Sequence, residues 1–284
     1  MRSVMGEGRE LGALLGDGTL CLLGCGKMGQ AMLEGWLGAG APPSRIRISE
    51  PNPSDHLVSV AEETRVDLSA PMTDGAAAVV TLAVKPQMMD AALPSVRGLA
   101  GPDTVFLSIA AGKTIGYFEQ ALGADTPIVR AMPNTPSAVG RGVTALFANE
   151  ATSPAQRELA EALLATLGET VWLENEAQMD AVTGVSGSGP AYVFHMIEAL
   201  ATAAEAEGLP PDLAMKLARA TVCGAGELAF QSVESAEQLR VNVTSPGGTT
   251  AAGLGVLMDE STGLSQLIRR TIAAAAQRSR DLAS

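Results

Sequence analysis

The chain is poor in three kinds of residue that build reactive or cross-linked sites. Aromatic residues make up 3 % of its 284 residues, and it has three cysteines and two histidines. Three cysteines, Cys21, Cys25 and Cys223, give neither a disulfide framework nor a CxxC pair. With so few histidines beside them, a zinc site is not expected. The sequence therefore predicts a site without metal.

Positive charge and long apolar segments are also lacking. The net charge is −12 and the isoelectric point is about 4.6. Because polyanions are repelled by such a surface, neither nucleic acid nor an anionic membrane is an expected partner. No apolar run reaches the about 18 residues of a membrane span, and no secretory segment opens the chain. We expect a cytoplasmic protein.

Apolar strands alternate with helices through the first part of the chain. Hydrophobic residues make up 46 % of the sequence, enough for a sizeable core. This alternation predicts an α/β fold, a Rossmann-type doubly wound parallel sheet covered on both faces, followed by an all-α region rich in alanine. The predicted parts are an N-terminal extension (1–18), a dinucleotide-binding domain (19–176) and a helical domain (177–284). Five strands are predicted at 19–23, 45–49, 76–84, 104–109 and 128–131, a further one at 169–173, and helices at 30–37, 88–99, 115–122, 153–167, 190–207, 211–230 and 264–280.

A glycine turn follows the first predicted strand. Gly24 allows the tight turn, Gly26 lets a pyrophosphate approach the backbone, and Gly29 allows close packing of helix on strand. The free N–H groups at the start of the helix, which include those of Lys27 and Met28, then face the phosphates. The turn predicts a dinucleotide site, and Cys25 within it is interpreted as a small filler.

The end of the second predicted strand bears on which dinucleotide is bound. Glu50 lies about 20 residues past the glycines, where a carboxylate accepts from a ribose 2′-OH and repels a 2′-phosphate. Ser49 and Asn52 are donors that suit a phosphate instead, although no arginine is adjacent. A carboxylate in a solvated turn is the plain alternative for Glu50, so the choice between NAD and NADP stays open.

Four further segments narrow the interpretation. They are Ala83–Pro86, Ala131–Pro136, Gly187–Tyr192 and Val243–Thr250, and the last reads Val-Thr-Ser-Pro-Gly-Gly-Thr-Thr. In this order they resemble the pyrroline-5-carboxylate reductase family, from Leu20 to the last helix. The resemblance implies NADPH- or NADH-dependent reduction of 1-pyrroline-5-carboxylate to L-proline, the last step of proline biosynthesis. It also implies that the helical domain forms a homodimer, which can assemble into a ring of dimers.

The resemblance also implies roles for individual residues. Thr250 is expected to be catalytic, with its hydroxyl directed at the ring nitrogen. The expected substrate contacts are Glu176, Ser245, Gly247, Gly248, Thr249 and Thr250. Cofactor contacts beyond the glycine turn and the second strand are expected at Ala83, Val84, Lys85, Pro86, Ala110, Asn134 and Asn242.

The physical chemistry of the last segment agrees with a carboxylate site. Two glycines at a helix start cluster N–H donors, and threonine hydroxyls add donors at adjustable angles. Pro246 is expected to end the preceding helix. A simple turn between helices is the alternative for this segment, and for Gly187–Pro190 structural capping of the long helix stands beside substrate contact.

Other functions fit the same architecture. A β-hydroxyacid dehydrogenase would place a catalytic lysine in the helical part, where Lys216 is the only lysine. Reduction of a six-membered imino acid is a second enzymatic alternative. A dinucleotide-binding regulator without catalysis would bind the cofactor tightly without turnover.

Overall fold

The chain folds into two compact units. The computed structural model describes residues 11–68, 72 and 76–283. The sheet unit comprises the chain up to Gly187 together with the segment from Ala276, and the helical unit is Ser188–Ala275. The domain limits predicted at 18/19 and 176/177 stay predictions.

Seven strands form one sheet in the order β2-β1-β3-β4-β5-β6-β7. Their bounds are Thr19–Leu23 (β1), Ile46–Ser49 (β2), Ala77–Leu82 (β3), Val105–Ser108 (β4), Ile128–Met132 (β5), Gly142–Ala148 (β6) and Gly168–Trp172 (β7). The first five are parallel, as predicted, but β6 pairs antiparallel with β5 and parallel with β7. The predicted parallel sheet is thus confirmed except at β6, a strand that was not predicted and that runs antiparallel to β5. Its connection to β5 holds only a 3-10 turn, Thr135–Val139, which is too short for a parallel crossover.

A single residue extends the sheet beyond β2. The backbone N–H of Asp67 donates to Ile46 O at 3.2 Å, and Ile48 N–H donates to Asp67 O at 2.8 Å. This parallel bridge stands where the third strand of a Rossmann fold would lie. In the strand order, β2 lies on one side of β1 and β3 on the other, so the winding of the chain reverses between β1 and β3, which is where doubly wound sheets bind ligands.

Twelve α-helices are present in the described part of the chain. In order (α1–α12) they are Leu11–Leu14, Lys27–Gly38, Asp55–Thr64, Met89–Ala92, Ile115–Leu122, Pro154–Ala165, Gln178–Val182, Gly189–Ala206, Pro211–Gln231, Ala236–Asn242, Thr249–Leu257 and Leu264–Ala283. A π-helical turn, Thr183–Gly187, leads into α8. The helix predicted at 88–99 is instead the short α4 between 3-10 turns, because Pro94 has no N–H to continue the helical ladder. Helices α1 and α3 were not predicted.

The core of the sheet unit lies on both faces of the sheet. Trp36 of α2 is fully buried, and its indole N–H donates to Leu163 O of α6 at 3.0 Å. Trp172 is half-buried and donates to Glu161 at 2.9 Å. Leu11 and Leu15, within the predicted N-terminal extension, are buried against this core, so this stretch packs as part of the sheet unit. Residues 1–10 lie outside the described residues.

The helical unit buries little of its apolar surface within one chain. Ala201 of α8 and Ala214 and Ala218 of α9 are buried, and no residue of α10 or α11 is. Large apolar side chains stay exposed on α8 and α9, among them Phe194, Met196, Leu200, Leu213, Met215, Leu217, Leu228 and Phe230. Such a surface is typical of an obligate interface between subunits. None of the helices that the structure describes has the length and apolarity of a membrane span.

Candidate active site

The sheet unit brings its predicted site residues to one edge. β1 to β5 are parallel, so their carboxyl ends share an edge. The glycine turn follows β1, the segment 49–52 ends β2, and 83–86 follows β3. Ala110 follows β4 and Asn134 follows β5. Within the described part of the chain, no three His, Cys, Asp or Glu side chains cluster as a metal site would require.

Two glycines of the turn are required by packing alone. Gly24 has a φ of 85°, and a Cβ there would lie 2.8 Å from Val84 Cγ1 and 3.0 Å from Ala83 O. A Cβ at Gly29 would lie 2.8 Å from Gly24 O. These close approaches fix the turn against the end of β3. They explain both glycines without any ligand.

Gly26 is different. A Cβ at this position would meet no protein atom within 4 Å, and its φ of −69° suits any residue. It is exposed and precedes α2, whose N-terminus has no side-chain cap. The amides of Lys27, Met28 and Gly29 have no partner within the helix because they belong to its first turn. An open backbone beside free N–H donors fits the pyrophosphate of a dinucleotide.

Glu50 is bonded to the glycine turn. Its Oε2 accepts from the Cys25 N–H at 2.8 Å, and its Oε1 accepts from the Asn52 N–H at 3.0 Å. The carbonyl of Ser49 accepts from the Gly24 N–H at 2.9 Å. The carboxylate is therefore held at the point where β1 and β2 end, and it is not the free turn carboxylate that was the plain alternative.

Cys25 is held as a neutral thiol. Its side chain is buried, and this burial, followed by the charges of Glu50 and Glu34, raises the pKa of the thiol from 9.0 to about 12. Since only a thiolate reacts quickly, Cys25 is unsuited to nucleophilic chemistry at neutral pH. The geometry agrees with its interpretation as a filler.

We expect iodoacetamide to alkylate Cys25 at pH 8 at least about a hundredfold more slowly in the folded protein than in urea, because the thiol is buried and protonated. The raised pKa stabilises the folded state below pH 9, and this contribution is lost as the pH rises from about 9 to about 12. Mass spectrometry of a Cys223→Ser background measures the rate. Rapid labelling of the native protein at pH 8 would show that the thiol is reactive.

The other strand ends differ in exposure. Lys85 is exposed, Ala83, Val84 and Pro86 are half-buried, and Ala110 is buried. Asn134 is buried, accepts from the Val143 N–H at 2.9 Å and donates to Ser186 O at 3.2 Å. Its side chain thus ties the end of β5 to β6 and to the π-helical turn.

An ion pair beneath this edge was not predicted. Arg130 of β5 is buried, and its guanidinium donates to Glu176 Oε1 at 2.5 Å. The same oxygen accepts from the Ile115 N–H, the first residue of α5, at 2.7 Å. Glu176, expected to contact substrate, therefore joins β5 to α5. An arginine inside the apolar run 128–132 was the available signal.

The helical unit places its predicted residues in one loop. Ser245, Gly247, Thr249 and Thr250 are exposed, and Gly248, the N-cap of α11, is half-buried. Gly248 N–H donates to Ser245 O at 3.1 Å, which closes the turn. Pro246 was predicted to end the preceding helix, and this prediction was wrong. That helix, α10, ends four residues earlier, at Asn242. Just beyond it, the Thr244 hydroxyl donates to Arg240 O in the last turn at 2.6 Å.

Asn242 and Lys216 lie elsewhere in this unit. The Asn242 side chain donates to Glu234 at 3.0 Å and accepts from Gln238 at 2.7 Å. Lys216 is exposed on α9. Pro190 falls in the first turn of α8, as the capping interpretation of its segment predicts.

Comparison with known proteins identifies the family. Residues 176–282 match the family model described as pyrroline-5-carboxylate reductase dimerisation, and residues 19–112 match that described as NADP oxidoreductase coenzyme F420-dependent. The chain is 38 % identical to a pyrroline-5-carboxylate reductase of Pseudomonas aeruginosa, over 93 % of this chain and 96 % of the relative.

Two solved structures extend the likeness to the fold. A pyrroline-5-carboxylate reductase of Coxiella burnetii has a TM-score of 0.87 and 36 % identity, with 94 % of this chain and 99 % of that one covered. A Plasmodium falciparum pyrroline carboxylate reductase with NADP bound has a TM-score of 0.79 and 27 % identity, with 94 % and 99 % covered. Identity of this extent, along nearly the whole chain, confirms the resemblance carried by the four segments: the chain belongs to the pyrroline-5-carboxylate reductase family.

Proposed function

We propose that the protein is a pyrroline-5-carboxylate reductase of the cytoplasm, which reduces 1-pyrroline-5-carboxylate to L-proline with NADPH or NADH. The relatives that it matches over nearly their whole length are named pyrroline-5-carboxylate reductases. The observation in this chain that carries the proposal is Gly26, whose open backbone has no packing role and lies beside the free amides of α2. The bound cofactor supplies the hydride.

The sheet unit is proposed to bind and orient the dinucleotide. Lys27, Met28 and the three glycines of the turn hold the pyrophosphate, and the end of β2 faces the adenosine ribose. The contacts proposed toward the nicotinamide are the strand ends Ala83, Val84, Lys85, Pro86, Ala110 and Asn134. Lys85 is the exposed cation of this group.

The helical unit is proposed to bind the substrate carboxylate. The first amides of α11 have no partner within the helix, and Ser245, Gly247, Gly248 and Thr249 surround them. Thr250 is exposed on the first turn of the same helix, so its hydroxyl is available to a ring nitrogen. Hydride adds to the carbon of the C=N bond, and the π electrons of that bond take up a proton at nitrogen. An imine nitrogen is basic enough that no strong general acid is required.

Glu176 and Asn242 remain candidates for the site. Their side chains already make hydrogen bonds within their own units, Glu176 to Arg130 and Asn242 to Glu234. This supports a role in which they shape the loops on which they lie.

The exposed apolar side chains of α8 and α9 support a homodimer formed through residues 177–284. The family model that matches this region is one of dimerisation. A ring of dimers, with each active site shared between subunits, is proposed as the larger assembly. The chain is proposed to act without nucleic acid or membrane partners, in keeping with its net charge of −12.

The test is oxidation of NADH and NADPH by the purified protein with 1-pyrroline-5-carboxylate at neutral pH. Turnover with either cofactor, and L-proline as product, is the expected result. Cofactor binding without turnover would contradict the proposal and favour a regulator. Faster turnover of the six-membered imino acid would move the assignment to that substrate.

Thr250→Val is expected to lower kcat/KM for the imino acid by about tenfold, the effect of losing one hydrogen bond to a reacting group. Thr271→Val is the matched control, because the Thr271 hydroxyl donates to Leu267 O of its own helix at 2.9 Å and lies outside the proposed site. Steady-state kinetics of both variants make the comparison. Equal activities would remove Thr250 from the proposed site.

A further inference from the structure

The bonded carboxylate at the end of β2 bears on which of the two cofactors the protein prefers. We propose that Glu50 makes the protein prefer NADH, because its carboxylate holds the place where the adenosine ribose of NADPH would carry its 2′-phosphate. The inference rests on the proposed function, namely that the sheet unit binds a nicotinamide dinucleotide. It goes further in naming the specificity-determining residue.

The position of the carboxylate is fixed by two donors. β1 and β2 end in register, with Leu23 opposite Ser49, so Glu50 begins beside the glycine turn. One carboxylate oxygen accepts from the Cys25 N–H at 2.8 Å and the other from the Asn52 N–H at 3.0 Å. Hydrogen bonds to a charged acceptor are stronger than those between neutral groups. The charge is thereby held at the turn and is not free to swing into solvent when a phosphate approaches.

The same two bonds remove donors that a phosphate would use. A 2′-phosphate at this corner needs backbone N–H groups or a guanidinium. The amides of Cys25 and Asn52 are already taken by Glu50. Both backbone amides are thus committed to Glu50.

The local charge is negative. Residues 49–55 include two carboxylates, Glu50 and Asp55, and no lysine or arginine. His56, on the first turn of α3, bonds Glu34 of α2 at 2.8 Å, which places another carboxylate beside it. A ribose hydroxyl can donate to such a carboxylate, whereas a phosphate is repelled by it.

Equilibrium binding without substrate tests the proposal, since NADH and NADPH differ only in the 2′-phosphate. Titration followed by nicotinamide fluorescence is expected to give a dissociation constant for NADH at least about tenfold below that for NADPH. Glu50→Gln keeps an acceptor for one amide but removes the charge. It should tighten NADPH binding by about tenfold and change NADH binding less than about threefold.

Glu62→Gln is the matched control, because Glu62 is an exposed carboxylate farther along α3. It should leave the ratio of the two constants unchanged. A second readout needs no variant: in about 1 M salt, where the screening length falls to about 3 Å, the preference of the wild type should shrink.

The outcomes separate this inference from the proposed function. Equal or tighter binding of NADPH by the wild type, or a ratio that Glu50→Gln does not move, overturns the role of Glu50 while the reductase stands. Absence of binding by both cofactors overturns the proposed function, and the inference falls with it.

Discussion

Gly26→Ala is expected to weaken binding of the nicotinamide cofactor by about a hundredfold, while the free energy of unfolding without cofactor changes by less than about 0.5 kcal/mol. The added methyl group meets no protein atom within 4 Å, so the fold accommodates it. The same methyl group lies where a pyrophosphate would approach the backbone. Cofactor titration and urea denaturation, followed by circular dichroism, measure the two effects separately.

Gly24→Ala is the opposite case within the same turn. With a φ of 85° and a Cβ 2.8 Å from Val84 Cγ1, it should lower the free energy of unfolding without cofactor by about 2 kcal/mol or more. Gly38→Ala, in open space at the other end of α2, is the control and should leave binding unchanged. A Gly26→Ala protein that binds cofactor normally would show that the turn does not hold the pyrophosphate.

Arg130→Met is expected to lower the free energy of unfolding by about 3–5 kcal/mol, the usual cost of removing one partner of a buried ion pair. Arg130 is 9 % exposed and Glu176 28 % exposed at their side chains, so the remaining carboxylate would be poorly hydrated. Arg97→Met, at an exposed arginine of the same unit, should stay within about 0.5 kcal/mol. Urea denaturation gives both values.

A double-mutant cycle distinguishes the ion pair from simple packing. Glu176→Gln keeps the acceptor for the Ile115 N–H and removes the charge. Combined with Arg130→Met, it should recover more than about 1 kcal/mol relative to the sum of the single changes. Strict additivity would mean that Arg130 stabilises β5 through packing and not through Glu176.

Local patterns predicted the elements that depend on neighbours in the sequence. The glycine turn, α5 and the limits of β1 follow from short-range signals, and the structure confirms them. The segment 88–99 was predicted as one helix, but Pro94 breaks the ladder. The direction of β6 depends on how the chain turns after Met132, which the apolar pattern of the strand does not encode.

The candidate site likewise contains one residue that a local motif predicts and two contacts that depend on tertiary structure. The open backbone at Gly26 could be predicted because it belongs to a compact motif, and its contact with a pyrophosphate stays a proposal. The bond from Cys25 to Glu50 spans 25 residues and exists only because the ends of β1 and β2 are in register. The pair of Arg130 and Glu176 is separated by 46 residues and depends on the packing of β5 against α5. Contacts of this kind follow from tertiary structure, so the sequence could single out Glu50 and Arg130 but not the groups that they bond.

The placement of the two tryptophans has a spectroscopic consequence. Trp36, without exposure to water, and the half-buried Trp172 both belong to the sheet unit, and residues 188–275 include no tryptophan. Intrinsic tryptophan emission of the protein therefore originates in one unit alone. The helical unit contains one tyrosine, Tyr192, whose emission is weak beside that of tryptophan. If the helical unit unfolds, or if subunits separate through it, no tryptophan within that unit reports the change.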